Sequence, residues 1–280
     1  MKKRIGFTLV ELLVVISIIA ILLAVLIPTL QRARGQAKNI VCRTNIKQWG
    51  VMLSMYANAN DGHFMPGFSS INGMWMLKLR PYYGGASNAA RTPEGHKSSA
   101  TDKIRLCPKT TTFTSTIPGA VTNPFTAWGI NGEGSLPGVQ PWGEKGLYGS
   151  YGINAWVHDP PKQDGDVYRI DDDDWPYFWR TIYVKNPATI PVFGDSVWEG
   201  TLAKVTDSPP QKPGFSTMHD GMWGFCIPRH GLAVNWVFLD NSARKVPIKE
   251  LWNQRWSPNF TPGKNIRWSD YPWISQNWGN

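Results

Sequence analysis

The chain has 280 residues and a formal net charge of +9, enough length for one sizeable domain or two small ones. Three basic residues, Lys2, Lys3 and Arg4, lie in the first four positions. No run of Arg and Lys with interleaved aromatic residues indicates a nucleic-acid groove, so we expect no nucleic-acid partner. Glycine (27) and proline (22) favour turns and irregular strands over a helix bundle.

An apolar segment of membrane-spanning length follows the basic N-terminus. Residues 7–27 are apolar or small except for Thr8, Glu11 and Ser17. About 20 such residues in an α-helix cross the hydrocarbon core of a bilayer. The preceding basic residues predict a cytoplasmic N-terminus, with the rest of the chain translocated across the membrane.

Two simpler interpretations account for part of this pattern. A secretory signal peptide has an apolar region of about 7–15 residues followed by a small-x-small cleavage site, whereas this segment is longer and no such site follows it. A plain single-pass anchor explains the length but gives Glu11 no purpose. A carboxylate costs about 2.5–3.5 kcal/mol near the bilayer centre, so we expect Glu11 to have a partner.

Residues 6–11 (GFTLVE), after a short basic leader, resemble the type III signal of prepilins and pseudopilins. In that family a membrane-embedded aspartyl peptidase cuts after the glycine and methylates the new amino terminus. The resemblance implies cleavage between Gly6 and Phe7 and a prepilin peptidase/methyltransferase as a partner. It also implies that Glu11 of one subunit pairs with the cationic Phe7 amine of a neighbour during assembly.

The helix is expected to continue beyond the membrane. Pro28 removes one backbone hydrogen bond and predicts a kink or local melting, after which helical character resumes over residues 29–60. An apolar stripe at alternating spacings of four and three predicts the face that packs on a globular domain; its members are Cys42, Ile46, Trp49, Leu53 and Tyr56. The glycine at position 62 predicts the helix stop.

The remaining sequence predicts a β-rich head, because short β-prone segments alternate with Gly/Pro turns. The fold class is therefore α+β: a long N-terminal transmembrane and spine helix packed on a β-rich, pilin-like head. We expect a leader at 1–6, a transmembrane helix at 7–27, an extramembrane spine helix at 28–60 and a head domain at 61–280.

Several short sequence segments resemble those of a subgroup of bacterial pilin-like proteins that carries a C-terminal H-x9-DG motif. They are residues 42–48 (CRTNIKQ), 56–62 (YANANDG), 106–108 (LCP), 151–154 (YGIN) and 192–196 (VFGDS). Nine residues separate His230 from Asp240, and Asn241 stands where the subgroup has glycine. Residues 233–239 and 242–246 are predicted to form a hairpin around this turn, with His230 as a structural residue that caps or ties it.

Three cysteines, Cys42, Cys107 and Cys226, leave the redox pattern open. Outside the cytoplasm one pair can oxidise; the sequence does not fix the pairing, and we favour Cys42–Cys107. The cysteines are far apart in the sequence and no paired histidine spacing occurs, so no zinc site is predicted.

The acidic run Asp171, Asp172, Asp173 and Asp174 is a weak calcium candidate, and a solvated acidic loop is the preferred interpretation. We expect no other cofactor.

An enzyme is not expected. Asp195, Ser196, His219 and His230 supply the residue types of a hydrolase, but no nucleophile-elbow pattern surrounds the serine.

The tryptophans have two interpretations, exposed platforms for sugar rings or packing of an irregular β domain, and we favour packing. The residues concerned are Trp175, Trp179, Trp252, Trp256, Trp268, Trp273 and Trp278.

These features predict a structural, pilin-like subunit that is processed and assembles into a type II secretion pseudopilus or a type IV pilus-like filament. The expected location is the bacterial inner membrane, single-pass, with a periplasmic or extracellular head. Expected partners are membrane lipid, other pilin-like subunits and the secretion or pilus assembly machinery. The alternative is a membrane-tethered envelope protein whose Trp-rich head binds polysaccharide.

Overall fold

A computed structural model describes residues 8–67, 74–83, 104–113, 123–129, 148–161, 176–214 and 221–275. Within these ranges one long α-helix, Leu9–Asn58 (α1), leads into a head that contains two β-sheets. Two short helices, Trp75–Lys78 (α2) and Arg80–Tyr83 (α3), belong to the head. The predicted α+β fold class is confirmed.

The helix α1 runs without a break through Pro28, so the prediction of local melting there is wrong. Proline costs one backbone hydrogen bond, but long helical segments on both sides propagate cooperatively and hold the central turn. Next to it, the hydroxyl of Thr29 donates to the carbonyl oxygens of Val25, at 3.2 Å, and Leu26, at 2.8 Å. With 50 residues, α1 is about 75 Å long.

The predicted apolar stripe of α1 does face the head. Cys42, Ile46, Trp49 and Leu53 are buried, and Tyr56 is partly buried against the same core. The helix ends at Asn58, and Gly62, with φ +82°, donates its N–H to the carbonyl of Ala57 as the predicted stop requires.

The main sheet has five strands in the order β6-β4-β5-β7-β8. Their bounds are Tyr151–Asn154 (β4), Pro191–Asp195 (β5), Gly200–Thr201 (β6), Ala233–Phe238 (β7) and Ala243–Pro247 (β8). All neighbours are antiparallel except β4 and β6, which are parallel. The helix α1 packs on β5, β7 and β8, so this sheet holds the spine.

The predicted hairpin is confirmed as β7 and β8. In its turn, Asn241 has a φ of +63°, a conformation that asparagine tolerates, and Asp240 accepts hydrogen bonds from the N–H and hydroxyl of Ser242. The side chain of Asn241 donates to the hydroxyl of Ser54 at 3.0 Å. The turn is therefore tied to the spine helix.

A smaller, three-stranded sheet lies beside the main one. It consists of Thr112–Phe113 (β1), Thr126–Gly129 (β2) and Tyr148–Gly149 (β3), with β1 parallel and β3 antiparallel to β2. Strand β3 is separated from β4 only by Ser150, so the chain passes directly from one sheet to the other.

The core of the head is rich in tryptophan, which confirms the packing interpretation. Trp252, Trp256 and Trp273 are at most 2% exposed and Trp179 is 8% exposed, while Trp268 is partly buried against the core. Trp175 and Trp278 lie outside the described residues. Buried rings offer no face to a sugar, so four of these five described tryptophans do not support polysaccharide binding.

Candidate functional site

The first half of α1 is an uncovered apolar surface. Every residue from Thr8 to Arg34 is exposed, and Leu9 and Ile21 retain 78% and 65% of their accessible surface. Among the described residues, α1 is the one helix long and apolar enough to cross a membrane. Apolar surface of this extent marks a membrane or protein contact. The helix therefore projects from the head as a membrane-anchoring segment.

Glu11 lies in the first turn of α1. Its carboxylate accepts hydrogen bonds from the N–H of Thr8, at 2.8 Å, and from the hydroxyl of Thr8, at 2.7 Å, while the N–H of Glu11 donates to that hydroxyl. This is a capping box, and the T-x-x-E spacing is the sequence signal that identifies it. Pairing of Glu11 with a neighbouring subunit stays a prediction, and the processing residues Gly6 and Phe7 lie outside the described residues.

A second site is a buried group of four side chains, Cys42, Cys107, Asp195 and His230, which we call the Cys–Asp–His cluster. Each offers one sulfur, oxygen or nitrogen atom, and these atoms all lie within 4.8 Å of one another. Cys42 belongs to α1, Cys107 to the segment before β1, and Asp195 ends β5, while His230 precedes β7. The fold thus brings four separate segments to one point.

Three contacts define the cluster. The thiol of Cys42 donates to Asp195 Oδ1 at 3.3 Å, His230 Nε2 lies 3.2 Å from Asp195 Oδ2, and the same nitrogen lies 3.3 Å from Cys107 Sγ. The hydroxyl of Tyr151 donates to Cys42 Sγ at 3.6 Å. All four cluster residues are at most 3% exposed, so water does not reach the ligand atoms freely.

Arg229 completes the surroundings of the cluster. Its guanidinium is fully buried, and Nη1 lies 3.5 Å from Asp195 Oδ1. The same guanidinium donates to four backbone carbonyls, those of Pro124, Thr126, Ser150 and Ser196. One side chain therefore joins the cluster to both sheets.

The buried charges shift one another's pKa values. Burial alone would raise the pKa of the Asp195 carboxyl, but His230 and Arg229 outweigh it and lower that pKa to about 2. Burial opposes a charged imidazole, yet the Asp195 carboxylate raises the pKa of His230 to about 9. Burial raises the pKa of the Cys42 thiol well above its ordinary value. For Cys107, hydrogen bonds from Cys42 and His230 outweigh burial and lower the pKa to about 6.

The structure revises several sequence-based expectations. Cys42 and Cys107 meet in the cluster as free thiols, so a disulfide between them stays a prediction, and Cys226 is buried elsewhere. Distance between cysteines along the sequence does not exclude a metal site, because folding brings Cys42 and Cys107 together. His230 borders the hairpin, with its N–H donating to the carbonyl of Ala233, but its imidazole faces Asp195 rather than the turn.

The residue set of a hydrolase is not assembled by the described residues. The hydroxyl of Ser196 donates to the carbonyl of Gly224 at 3.1 Å and has no contact with His230 in the described part of the chain. His219 and the calcium candidates Asp171, Asp172, Asp173 and Asp174 lie outside the described residues.

A crevice of about 280 Å³ separates the spine helix from the head beside the cluster. Its lining includes three basic side chains, Arg32, Lys109 and Lys245, and also His230. His230 thus borders both the crevice and the Cys–Asp–His cluster.

Comparisons with known proteins agree with the N-terminal features. Residues 1–27 match the family described as the prokaryotic N-terminal methylation motif. Over 63 residues the chain is 44% identical to the type IV wide pilus major component PilA4 of Thermus thermophilus, a match that covers 22% of this chain and 48% of that protein. The chain thus spans about half the length of this relative, and no solved structure matches.

Together, the methylation motif, the pilin relative and the long exposed helix define the class of this chain. It is a type IV pilin- or pseudopilin-like protein. This class points to a structural subunit with a membrane anchor, whereas membership of the H-x9-DG subgroup stays a prediction.

Proposed function

We propose that this chain is a structural subunit of the bacterial inner membrane that polymerises into a type II secretion pseudopilus or a type IV pilus-like filament. The observation that carries the proposal is the apolar half of α1, exposed along its whole length, with Glu11 as its single acidic side chain. Lipid covers this surface in the free subunit, and the apolar helices of neighbouring subunits cover it in a filament.

Processing prepares the helix for assembly. Cleavage between Gly6 and Phe7 by a prepilin peptidase leaves an α-amino group that is mostly cationic at neutral pH. In a low-dielectric bundle an isolated ammonium and an isolated carboxylate are both costly, and pairing relieves both costs. The amine of one subunit therefore meets Glu11 of its neighbour, and this contact sets the axial stagger between subunits.

Mass spectrometry of the full chain, expressed in bacteria with and without a prepilin peptidase, tests the processing step. We expect a mature protein that begins with N-methylated Phe7 only when the peptidase is present. Replacing Gly6 with Val should block cleavage, because a β-branched side chain prevents close approach of the backbone to the peptidase. A mature protein that still begins at Met1, or one trimmed beyond Ile27, contradicts the proposal.

The assembly step is tested with Glu11→Gln. Glutamine also serves at the third position of a capping box, so the substitution removes the charge while it keeps the helix cap. We expect normal membrane insertion and a loss of sheared filaments, whereas Glu250→Gln, which changes a partly exposed carboxylate of the head, should assemble normally. Unchanged filament yield with Glu11→Gln contradicts the pairing.

A further inference from the structure

The Cys–Asp–His cluster has the donor set of a zinc site. Two cysteine sulfurs, one imidazole nitrogen and one carboxylate oxygen are ligands that Zn²⁺ accepts in proteins. A closed set of four protein ligands is typical of structural sites, since catalytic sites keep one position open for water or substrate. The four side chains are buried, as a closed site requires.

The dimensions of the cluster also agree with a tetrahedral ion. Bond lengths of about 2.3 Å to sulfur and about 2.0–2.1 Å to nitrogen or oxygen place neighbouring ligand atoms about 3.3–3.8 Å apart. Cys42 Sγ lies 3.3 Å from Asp195 Oδ1, Cys107 Sγ lies 3.3 Å from His230 Nε2, and His230 Nε2 lies 3.2 Å from the other carboxylate oxygen, Asp195 Oδ2. Since all four ligand atoms lie within 4.8 Å of one another, shifts of up to about 1 Å bring them to the edges of a coordination tetrahedron.

Charge balance supports a divalent ion at this point. Two thiolates and one carboxylate carry three negative charges, which Zn²⁺ reduces to one. The buried guanidinium of Arg229, 3.5 Å from Asp195, supplies the remaining positive charge. The loaded cluster with Arg229 is therefore neutral, which avoids the cost of an uncompensated charge in the core.

We propose that Cys42, Cys107, Asp195 and His230 bind one Zn²⁺ and thereby fasten the spine helix to the head. Binding of the ion requires deprotonated thiols and a neutral imidazole, so the protons that these side chains carry without metal are released. The ion joins α1, the end of β5, the segment before β1 and the segment before β7. This role is independent of filament assembly, because it concerns the fold of the single subunit.

The wild-type full chain, purified in detergent under reducing conditions, provides the first test. We expect about one zinc per chain by elemental analysis. X-ray absorption should show two sulfur ligands at about 2.3 Å and two nitrogen or oxygen ligands at about 2.0–2.1 Å. After chelation, Co²⁺ should restore binding and produce thiolate-to-cobalt charge-transfer bands. Protein that holds neither metal overturns the proposal. A Cys42–Cys107 disulfide in peptide mass maps of protein purified without reductant also overturns it.

Variants identify the ligands. Cys107→Ser and His230→Gln should each weaken Co²⁺ binding at least tenfold and change the cobalt spectrum. Cys226→Ser and His158→Gln are matched controls, because both native residues are buried outside the cluster, and these variants should bind Co²⁺ as the wild type does. If a ligand variant does not fold, the wild-type protein supplies the test. Removing its metal with a chelator should lower the midpoint of thermal unfolding, and adding Zn²⁺, but not Mg²⁺, should restore that midpoint. A midpoint that chelation leaves unchanged overturns the structural role.

Discussion

The indole ring of Trp49 packs edge-on against the indole ring of Trp75, with centroids 4.9 Å apart and ring planes at 90°. Trp49 lies on the spine helix and Trp75 on α2, and both are fully buried. Trp49 donates to the carbonyl of Ile104 at 2.9 Å, and Trp75 donates to that of Glu199 at 2.7 Å. The pair therefore holds the spine helix to the head through both apolar contact and hydrogen bonds.

Replacing Trp49 with Ala should lower the free energy of unfolding of the head by about 3–5 kcal/mol, because a large cavity forms at the helix–head boundary. Unfolding of the full chain in detergent, followed by tryptophan fluorescence, measures this loss. Met55→Ala is the control on the same helix, since Met55 is 50% exposed, and it should change stability by about 0.5 kcal/mol or less. Equal effects of the two substitutions would contradict the packing role.

Gly50 marks the closest approach of α1 to the hairpin. A methyl group at this position would lie 2.7 Å from a methyl of Val237 and 2.8 Å from the side-chain oxygen of Asn241. Gly50→Ala should therefore destabilise by about 1–3 kcal/mol, despite the higher helix propensity of alanine. Val237→Ala in the same chain makes room for the methyl, so the double variant should be more stable than the two separate losses predict. Additive losses in a double-mutant cycle would argue against this contact.

Arg229 offers a test of the junction between the two sheets. Arg229→Met leaves the Asp195 carboxylate without its guanidinium and four carbonyls without a donor, so we expect a loss of about 3–5 kcal/mol. Arg229→Lys should recover only part of it, because an ammonium cannot reach carbonyls in several directions. Arg244→Lys, at a more exposed arginine of β8, is the control, with an expected change below about 1 kcal/mol. Full recovery with lysine would show that charge alone matters.

His158 predicts a pH dependence of stability. Its ring is buried, with Nδ1 2.9 Å from the carbonyl of Ala155, and burial lowers its pKa to about 4. The unfolded chain takes up this proton near pH 6.5, so stability is complete above that pH and falls as the pH drops toward 4. The total loss is about 3 kcal/mol.

His158→Gln should remove this part of the pH dependence. Free energies of unfolding measured at pH 7.5, 6, 5 and 4 compare the two proteins, and the slope of the variant should be smaller between pH 6.5 and 4. His63→Gln is the control, because His63 is exposed at the surface beside Asp159. A variant with the wild-type slope would mean that other groups cause the acid sensitivity.

Local patterns in the sequence predict the helix and the hairpin well. The stripe from Cys42 to Leu53 depends only on helical periodicity, and the turn at Asp240–Asn241 depends on residues that tolerate positive φ. At Pro28 the sequence predicts a kink or local melting, and local melting does not occur, because the local cost of proline is smaller than the cooperativity of a long helix.

The Cys–Asp–His cluster could not be predicted in this way. Cys42 and Asp195 are 153 residues apart, and Cys107 and His230 are 123 residues apart. Their meeting depends on how α1 lies across the sheet and on where β5 ends, which no local spacing encodes. The sequence offers the residue types, and only the tertiary fold brings them within contact distance.

The continuity of α1 fixes the direction in which Glu11 points relative to the head. At about 100° per residue, the 31 positions between Glu11 and Cys42 correspond to a rotation of about 220°. The carboxylate and the head therefore project from roughly opposite sides of the same rod. In the filament that we propose, chains whose heads face outward would turn Glu11 toward the filament axis.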